Sequence, residues 1–195
     1  MRCWSWAQVR ERGTQRAGAD ARAGVGLAGI VAAWAGAADV VLSDYPAAAI
    51  IDALRRNVER NVVGPGLRAR VAVEPHLWGD VSTPFAVAHA GRFTRVLAAD
   101  TLWLAGEHRN LAVSMRHFLS PEPAARVFVV AGFHTGRAKL AHFFCAVLGE
   151  EGLEIDSIFE MDADGRRREW QPDAPEEAIG ERNKWLVVAR LKRTS

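Results

Sequence analysis

Apolar positions fall into two alternating rhythms from residue 27 onward. Leu27, Ile30, Val31 and Trp34 recur at helical spacing, and Gly36 ends that stretch. Asp39-Val40-Val41-Leu42-Ser43-Asp44 follows as a short apolar run, the pattern of a strand buried on both faces of a parallel sheet. Pro46 opens a second helix through Ile50, Ile51, Leu54 and Val58, which stops near Gly64-Pro65-Gly66. The alternation continues, with strands expected at 70–74, 93–100 and 125–131 and helices at 106–119 and 137–148. Near the end the rhythm changes. Residues 153–161 and 184–191 both read as strands, joined by a polar connection over 162–183 with no helix in it. A series of βα units closed by a strand pair predicts an α/β fold, a parallel doubly wound sheet with an antiparallel strand appended.

Residues 1–21 carry no sustained period of either kind. Between 10 and 20 the only apolar residues are Ala17 and Ala19. Such a stretch cannot fill the middle of a parallel sheet, where both faces demand Val, Ile or Leu. The expected organisation is therefore an irregular segment over 1–21 and one folded domain over 22–195. The sheet is expected to have its first strand missing or degenerate, with a gap or a weak substitute at its centre.

Gly24-Val25-Gly26-Leu27-Ala28-Gly29 satisfies the pattern Gly-x-Gly-x-x-Gly. Glycines so spaced let the backbone turn sharply and bring N–H groups near a ligand, and the following helix offers a partly positive N-terminus. Asp44 lies twenty residues after Gly24, where a nucleotide fold puts the acid that grips ribose hydroxyls. Together they predict an adenosine-containing cofactor. The simpler reading of the glycines alone is a core helix that starts with small residues. A dinucleotide domain would need a strand just before the glycines and a second, similar half; the terminal strand pair suits a methyltransferase sheet better.

Composition narrows the field modestly. With 49% hydrophobic and 25% charged residues the chain has the balance of a globular protein, and 195 residues suit one domain. A net charge of +2 gives no bulk argument for nucleic acid, and no direct nucleic-acid partner is expected. No long apolar span points to a membrane, and the N-terminus has arginines but no hydrophobic run. Arg166-Arg167-Arg168 reads as a solvated turn. Cys3 and Cys145 cannot form a disulfide framework, and Cys145 reads as a small core residue; a reducing, cytoplasmic setting is the expectation. No histidine pair has zinc spacing, so no metal is expected.

Six motifs in order carry a family resemblance: Ala23-Gly24-Val25-Gly26-Leu27, Asp44-Tyr45-Pro46, Asn57 with Asn61, Leu77-Trp78-Gly79, Ala99-Asp100-Thr101-Leu102-Trp103 and Ala131-Gly132-Phe133-His134-Thr135-Gly136-Arg137. With these, residues 22–193 resemble the fungal protein methyltransferases that modify the N-terminus and a nearby lysine of a translation elongation factor. That family, also called nicotinamide N-methyltransferase-like, belongs to the seven-β-strand, S-adenosylmethionine-dependent group. The resemblance implies a Rossmann-like seven-strand methyltransferase sheet with an antiparallel C-terminal strand pair, S-adenosyl-L-methionine as cofactor and an elongation factor as protein partner. Departures exist. Arg22 stands where the family has its first glycine, no apolar strand leads up to it, and Asp100-Thr101-Leu102-Trp103 replaces Asp-x-x-Tyr of a related branch. These departures suggest an N-terminally truncated copy.

The resemblance also implies roles. Gly24 and Gly26 would line the methionine end of the cofactor, where a side chain would collide with it, and Ala23 would belong to the same cofactor-binding loop. Asp44 would accept hydrogen bonds from both ribose hydroxyls, or else cap the next helix. Trp78 would lie against the adenine, or else be a core tryptophan. Ala99 and Asp100 close a strand at the edge where ligands bind, with Asp100 orienting the amine and Trp103 presenting an aromatic face to it. His134 either orients substrate or bonds backbone in a tight turn. Two other functions stay open: a non-catalytic, methyltransferase-like interaction protein, and a small-molecule amine methyltransferase of the nicotinamide kind.

Overall fold

The strands that carry the site are short and stop abruptly, each for a local reason. Residues 8–9, 18–20, 25–64, 71–175 and 178–194 are described by the computed structural model. In chain order the elements begin with β1 (Gln8–Val9), β2 (Gly18–Asp20), α1 (Leu27–Trp34), β3 (Val40–Asp44), α2 (Ala48–Asn61) and β4 (Val71–Pro75). Next come α3 (Pro84–His89), β5 (Arg95–Ala99), α4 (His108–Phe118), β6 (Arg126–Gly132), α5 (Arg137–His142) and α6 (Leu148–Glu150). The chain closes with β7 (Leu153–Asp162), β8 (Arg167–Glu169), α7 (Ile179–Arg182) and β9 (Trp185–Arg193).

Parallel ladders join β3 to β4, β2 to β5 and β5 to β6. β2 also lies against β3. Across the sheet the order is thus β4, β3, β2, β5, β6, β9, β7, with β9 antiparallel to both of its neighbours. This is the Rossmann-like, seven-strand methyltransferase sheet with its antiparallel C-terminal pair. One detail differs from the simplest expectation: the antiparallel strand is inserted between β6 and β7 rather than added at the edge.

The weak centre is visible. β2 has only three residues, paired Gly18↔Arg95, Ala19↔Val96 and Asp20↔Leu97, and no ladder joins β2 to β3 among the described residues. β1 also pairs with β5, in the antiparallel sense. The rest of 1–21, for which irregular structure was expected, lies outside the described residues. All five residues of β3 are buried, as its continuous apolar run requires. β6 alternates fully buried Val127, Val129 and Ala131 with half-buried neighbours.

Three local expectations need correction. Residues 162–183 are not free of regular structure: Gly165 (φ +81°) turns the chain so that β8 pairs back on β7, and Ile179–Arg182 forms one helical turn. The helix over 137–148 is regular only at its ends, because Phe143–Val147 adopts π geometry. That segment buries Phe143, Phe144 and Val147 and leaves Cys145 exposed, so Cys145 is not a core residue. Helix α3 was not anticipated. Its signal is Thr83-Pro84: the Thr83 hydroxyl accepts the Ala86 N–H at 3.1 Å, and Pro84 sits in the first turn.

Two apolar clusters flank the sheet. The larger gathers Val96, Ala98, Val127, Val129, Phe118 and Phe143 around β5 and β6; the smaller gathers Ile30, Val40, Leu42, Leu54, Val58 and Val62 around β3. Buried Glu160 of β7 binds Arg137, at the start of α5, and Arg168 of β8 (Nε at 2.8 Å). Because both arginines share one carboxylate, the network clamps the β7–β8 hairpin over the start of α5.

Candidate active site

Gly26 precedes α1 with φ +81°, and an added Cβ would stand 2.8 Å from Leu54 Cδ1 and 2.9 Å from Leu42 Cδ2. The start of α1 therefore needs a glycine for its own packing against β3 and α2, whatever lies above it. Asn57 of α2 fixes the same segment by donating from Nδ2 to the Val25 carbonyl at 3.2 Å. Asn61 in turn donates to the Asn57 carbonyl at 2.8 Å. Asn57 thus ties α2 to the segment before α1, and the Asn61 bond stays within α2. Ala23 and Gly24 lie outside the described residues.

Asp44 ends β3 and is 2% exposed. Its Oδ1 accepts the Tyr45 N–H at 2.6 Å, and its carbonyl accepts the His76 N–H at 2.8 Å. An acid this buried, at the carboxyl end of a parallel strand, faces the crevice where ligands bind in such sheets. Trp78 follows β4 and is buried in the larger cluster. Its loop is pinned to α4: Ser114 Oγ accepts the Gly79 N–H at 2.9 Å and lies 2.9 Å from His76 Nε2. Gly79 has φ +83°, and a Cβ there would meet Asn110 Oδ1 at 2.8 Å. Burial pushes the His76 imidazole down to about 4, partly offset by Asp80. His76 is thus neutral at neutral pH.

Ala99 closes β5 and is half-buried. Asp100 follows with φ +51°, the one positive φ of a residue other than glycine among the described residues. Its N–H donates to the Val130 carbonyl at 2.5 Å, and its Oδ1 accepts the Gly132 N–H at 3.2 Å. An aspartate in this strained conformation, held by the ends of two strands, is the kind of outlier that marks a working site. His134 Nε2 stands 3.8 Å from Asp100 Oδ2. Trp103, by contrast, is 39% exposed, and its neighbour Leu104 and, after β3 and β4, Tyr45 and Leu77 are exposed too.

The strand ends thus bring Asp44, Ala99 and Asp100 to one edge of the sheet, and Gly26 to the start of the helix beside it. Trp78 sits within the core rather than on a surface, and Trp103 sits on the rim. His134, left without a single role by the sequence reading, joins Asp100. Its signal was the placement of Gly132-Phe133-His134-Thr135-Gly136 directly after a buried strand. No group of three or more metal-ligating side chains occurs among the described residues.

Comparison with known proteins matches this geometry. Residues 20–149 match the lysine methyltransferase family. A protein N-terminal and lysine N-methyltransferase of Schizosaccharomyces pombe is 31% identical over 160 residues, covering 79% of this chain and 61% of that protein. The enzyme of that name from Yarrowia lipolytica is 31% identical over 157 residues, covering 71% of this chain and 56% of its own length. The chain thus spans about three fifths of the length of these curated relatives. Among solved structures, the [4+2]-cyclase SpnF superposes with a TM-score of 0.60 at 13% identity, over 91% of this chain and 74% of its own. The glycopeptide N-methyltransferase MtfA superposes with a TM-score of 0.59 at 11% identity, over 89% of this chain and 81% of its own. Those two likenesses establish the fold alone, and a cyclase among them shows that this fold does not dictate the reaction. The match over residues 20–149 establishes more: the chain belongs to the lysine methyltransferase family.

Proposed function

We propose that this chain is an S-adenosylmethionine-dependent protein N-methyltransferase that acts on the N-terminal amine, a lysine, or both, of a translation elongation factor in the cytoplasm. The observation that carries the reading is the placement of two buried carboxylates, Asp44 and Asp100, at the carboxyl ends of β3 and β5 in a sheet of methyltransferase order. Family membership and the motif resemblance support it.

The residues present suit the cofactor. Asp44, an acceptor when ionised, fits a ribose diol that has only hydroxyls to donate. Trp78, packed in the core, shapes the loop after β4 from beneath, and the small side chain of Ala99 leaves room at the end of β5. When bound, S-adenosyl-L-methionine supplies a methyl group on a sulfonium, activated for displacement. What remains for the protein is positioning, because one amine must approach one carbon in line. Asp100 orients that amine from the end of β5. Tyr45, Leu77, Trp103 and Leu104, on the segments after β3, β4 and β5, expose apolar surface. Exposed apolar side chains on those segments favour a protein segment over a nicotinamide-sized amine, which calls for an enclosing pocket.

A second reading has its own observation. The three-residue β2 is a weak centre for a cofactor-binding sheet, and a non-catalytic relative that keeps only the family's surface would tolerate it. Calorimetry with S-adenosylmethionine separates the two. Micromolar binding, with methyl transfer to purified elongation factor and none to nicotinamide, supports the enzyme. Absence of binding supports the interaction protein.

A further inference from the structure

We propose that the carboxyl edge of the sheet is a docking surface for a lysine- and arginine-rich segment of the protein substrate, held by exposed apolar side chains together with Asp80 and Glu107. This rests on the methyltransferase reading above and adds to it the chemistry of the segment that carries the amine.

Strands β3 to β6 all end at one edge, so the segments that follow them, 45–47, 76–83, 100–107 and 133–136, share it. Tyr45, Leu77, Val81, Trp103 and Leu104 expose apolar side chains there. The chain has 25 lysines and arginines, yet none falls on these four segments. Their acids are Asp80, Asp100 and Glu107. The opposite edge has the other sign, since β5 and β6 begin with Arg95 and Arg126.

Asp80 and Glu107 belong to different segments but meet. Glu107 Oε2 accepts from Asn110 Nδ2 at 2.8 Å. Asn110 in turn lies against Gly79, where a Cβ would stand 2.8 Å from its Oδ1. Glu107 is thus carried up to the residue before Asp80. The Ser82 hydroxyl donates to Asp80 Oδ1 at 2.7 Å and the Ser82 N–H at 3.1 Å, which holds this carboxyl below its ordinary range and ionised at neutral pH. Among the described residues neither acid has a lysine or arginine partner.

Nearby cations are already committed. Arg109, at the start of α4, pairs with Glu151 at 2.7 Å. Cations return to this edge only at the β7–β8 hairpin and the start of β9. There Arg166 pairs with Asp164, Arg168 with Glu160 and Lys184 with Glu181, and Arg167 lies over the Phe159 ring.

Apolar side chains beside unpaired acids suit long cationic side chains. Their methylene stems cover the apolar surface while their heads reach a carboxylate. Complementary charge also steers such a segment to the edge and turns an acidic one away.

The test uses the full 195-residue chain and fluorescence anisotropy, which reads binding without turnover. Labelled peptides with a free N-terminus and one lysine carry arginine, glutamine or glutamate at the flanking positions. At about 0.05 M salt the arginine peptide should bind at least about fivefold tighter than the glutamine peptide, and the glutamate peptide should bind weakest. Raising salt to about 0.5 M should erase most of that difference, because the screening length shrinks from about 14 Å to about 4 Å. Asp80→Asn combined with Glu107→Gln keeps both side-chain shapes and should bring the arginine and glutamine peptides within about twofold of each other. Leu77→Ser combined with Leu104→Ser should weaken both peptides about tenfold. Equal binding of the three peptides, or tightest binding of the glutamate peptide, overturns the proposal. An arginine preference that survives loss of both carboxylates overturns it as well. So does sedimentation that shows a dimer lost on Leu77→Ser with Leu104→Ser, which makes the surface an interface between copies. Methyl transfer and calorimetry keep the two readings apart. Transfer without an arginine preference removes this surface and leaves the methyltransferase reading intact. The preference without binding of S-adenosylmethionine leaves the surface standing and removes the enzyme.

Discussion

Asp44 is buried at the end of β3, where its Oδ1 accepts the Tyr45 N–H at 2.6 Å. If a ribose diol binds there, truncating the side chain removes two charge-assisted hydrogen bonds. Asp44→Ala should then weaken S-adenosylmethionine binding by about 2 kcal/mol, roughly thirtyfold, with the chain still folded. An unchanged dissociation constant in calorimetry removes Asp44 from the site. Gly26 makes the opposite case. A glycine reserved for a ligand could become alanine without harm to the free protein. Here φ is +81° and two leucine methyls stand under 3 Å from the missing Cβ. Gly26→Ala should therefore cost the ligand-free chain about 1–3 kcal/mol in urea unfolding, through backbone strain and overpacking together. An unaltered midpoint would mean that Leu42 and Leu54 yield without penalty.

Between residue and fold stands the loop that links β4 to α4 through His76, Gly79 and Ser114. His76 is 2% exposed, and burial holds its imidazole at about 4, against ~6.5 in an unfolded chain. As pH falls through that window the unfolded chain takes up a proton that the folded chain refuses. Stability should therefore fall from about pH 6.5 down to about 4, by about 3 kcal/mol from this residue, and change no further below. Urea titrations at about pH 7 and about pH 4.5 should show the loss, and His76→Phe should lack that share of it. An identical pH slope in the variant overturns the assignment. The elements themselves were legible where period and punctuation agreed. Leu27 to Trp34 before Gly36 marks α1, and the unbroken Val40-Val41-Leu42 run marks β3. The unread parts carry little periodicity. Three-residue strands such as β8 are too short to alternate, and α3 shows itself only by its Thr83-Pro84 start. A π segment cannot be read from a pattern that still looks helical, so the exposure of Cys145 was invisible. In the site, the acids at strand ends could be read because a strand's end is where such a sheet keeps its ligands. The pairing of His134 with Asp100 could not, because it depends on two neighbouring strands and a positive φ that no spacing announces.

At the scale of the whole molecule, the sheet is continuous in space but not in its hydrogen bonds. β3 and β4 share a ladder with each other and, among the described residues, with no other strand; β2, the three-residue element beside them, is bonded to β5. The core divides at nearly the same line. One cluster packs α1, β3 and α2 together, and the other packs β5, β6 and β9 with α4 and α5; Val41 and Leu97 each lie against the far side. Side-chain packing therefore does at the centre what a full-length strand would do with its ladders. The cofactor reading puts Asp44 and Gly26 on one half and Ala99 and Asp100 on the other, so the ligand itself would bridge the seam. Two consequences follow for native-state hydrogen exchange. Without ligand, amides of β3 and β4 should open at lower free energy than those of β6 and β9, as a separate cooperative unit. With S-adenosylmethionine at about a hundred times its dissociation constant, the β3–β4 unit should gain about 2.7 kcal/mol of protection, narrowing the gap to the other half. If β3 and β4 already exchange as slowly as β6 and β9 in the free chain, the seam is not a weakness. If ligand binds and protects only one half, the cofactor does not span it.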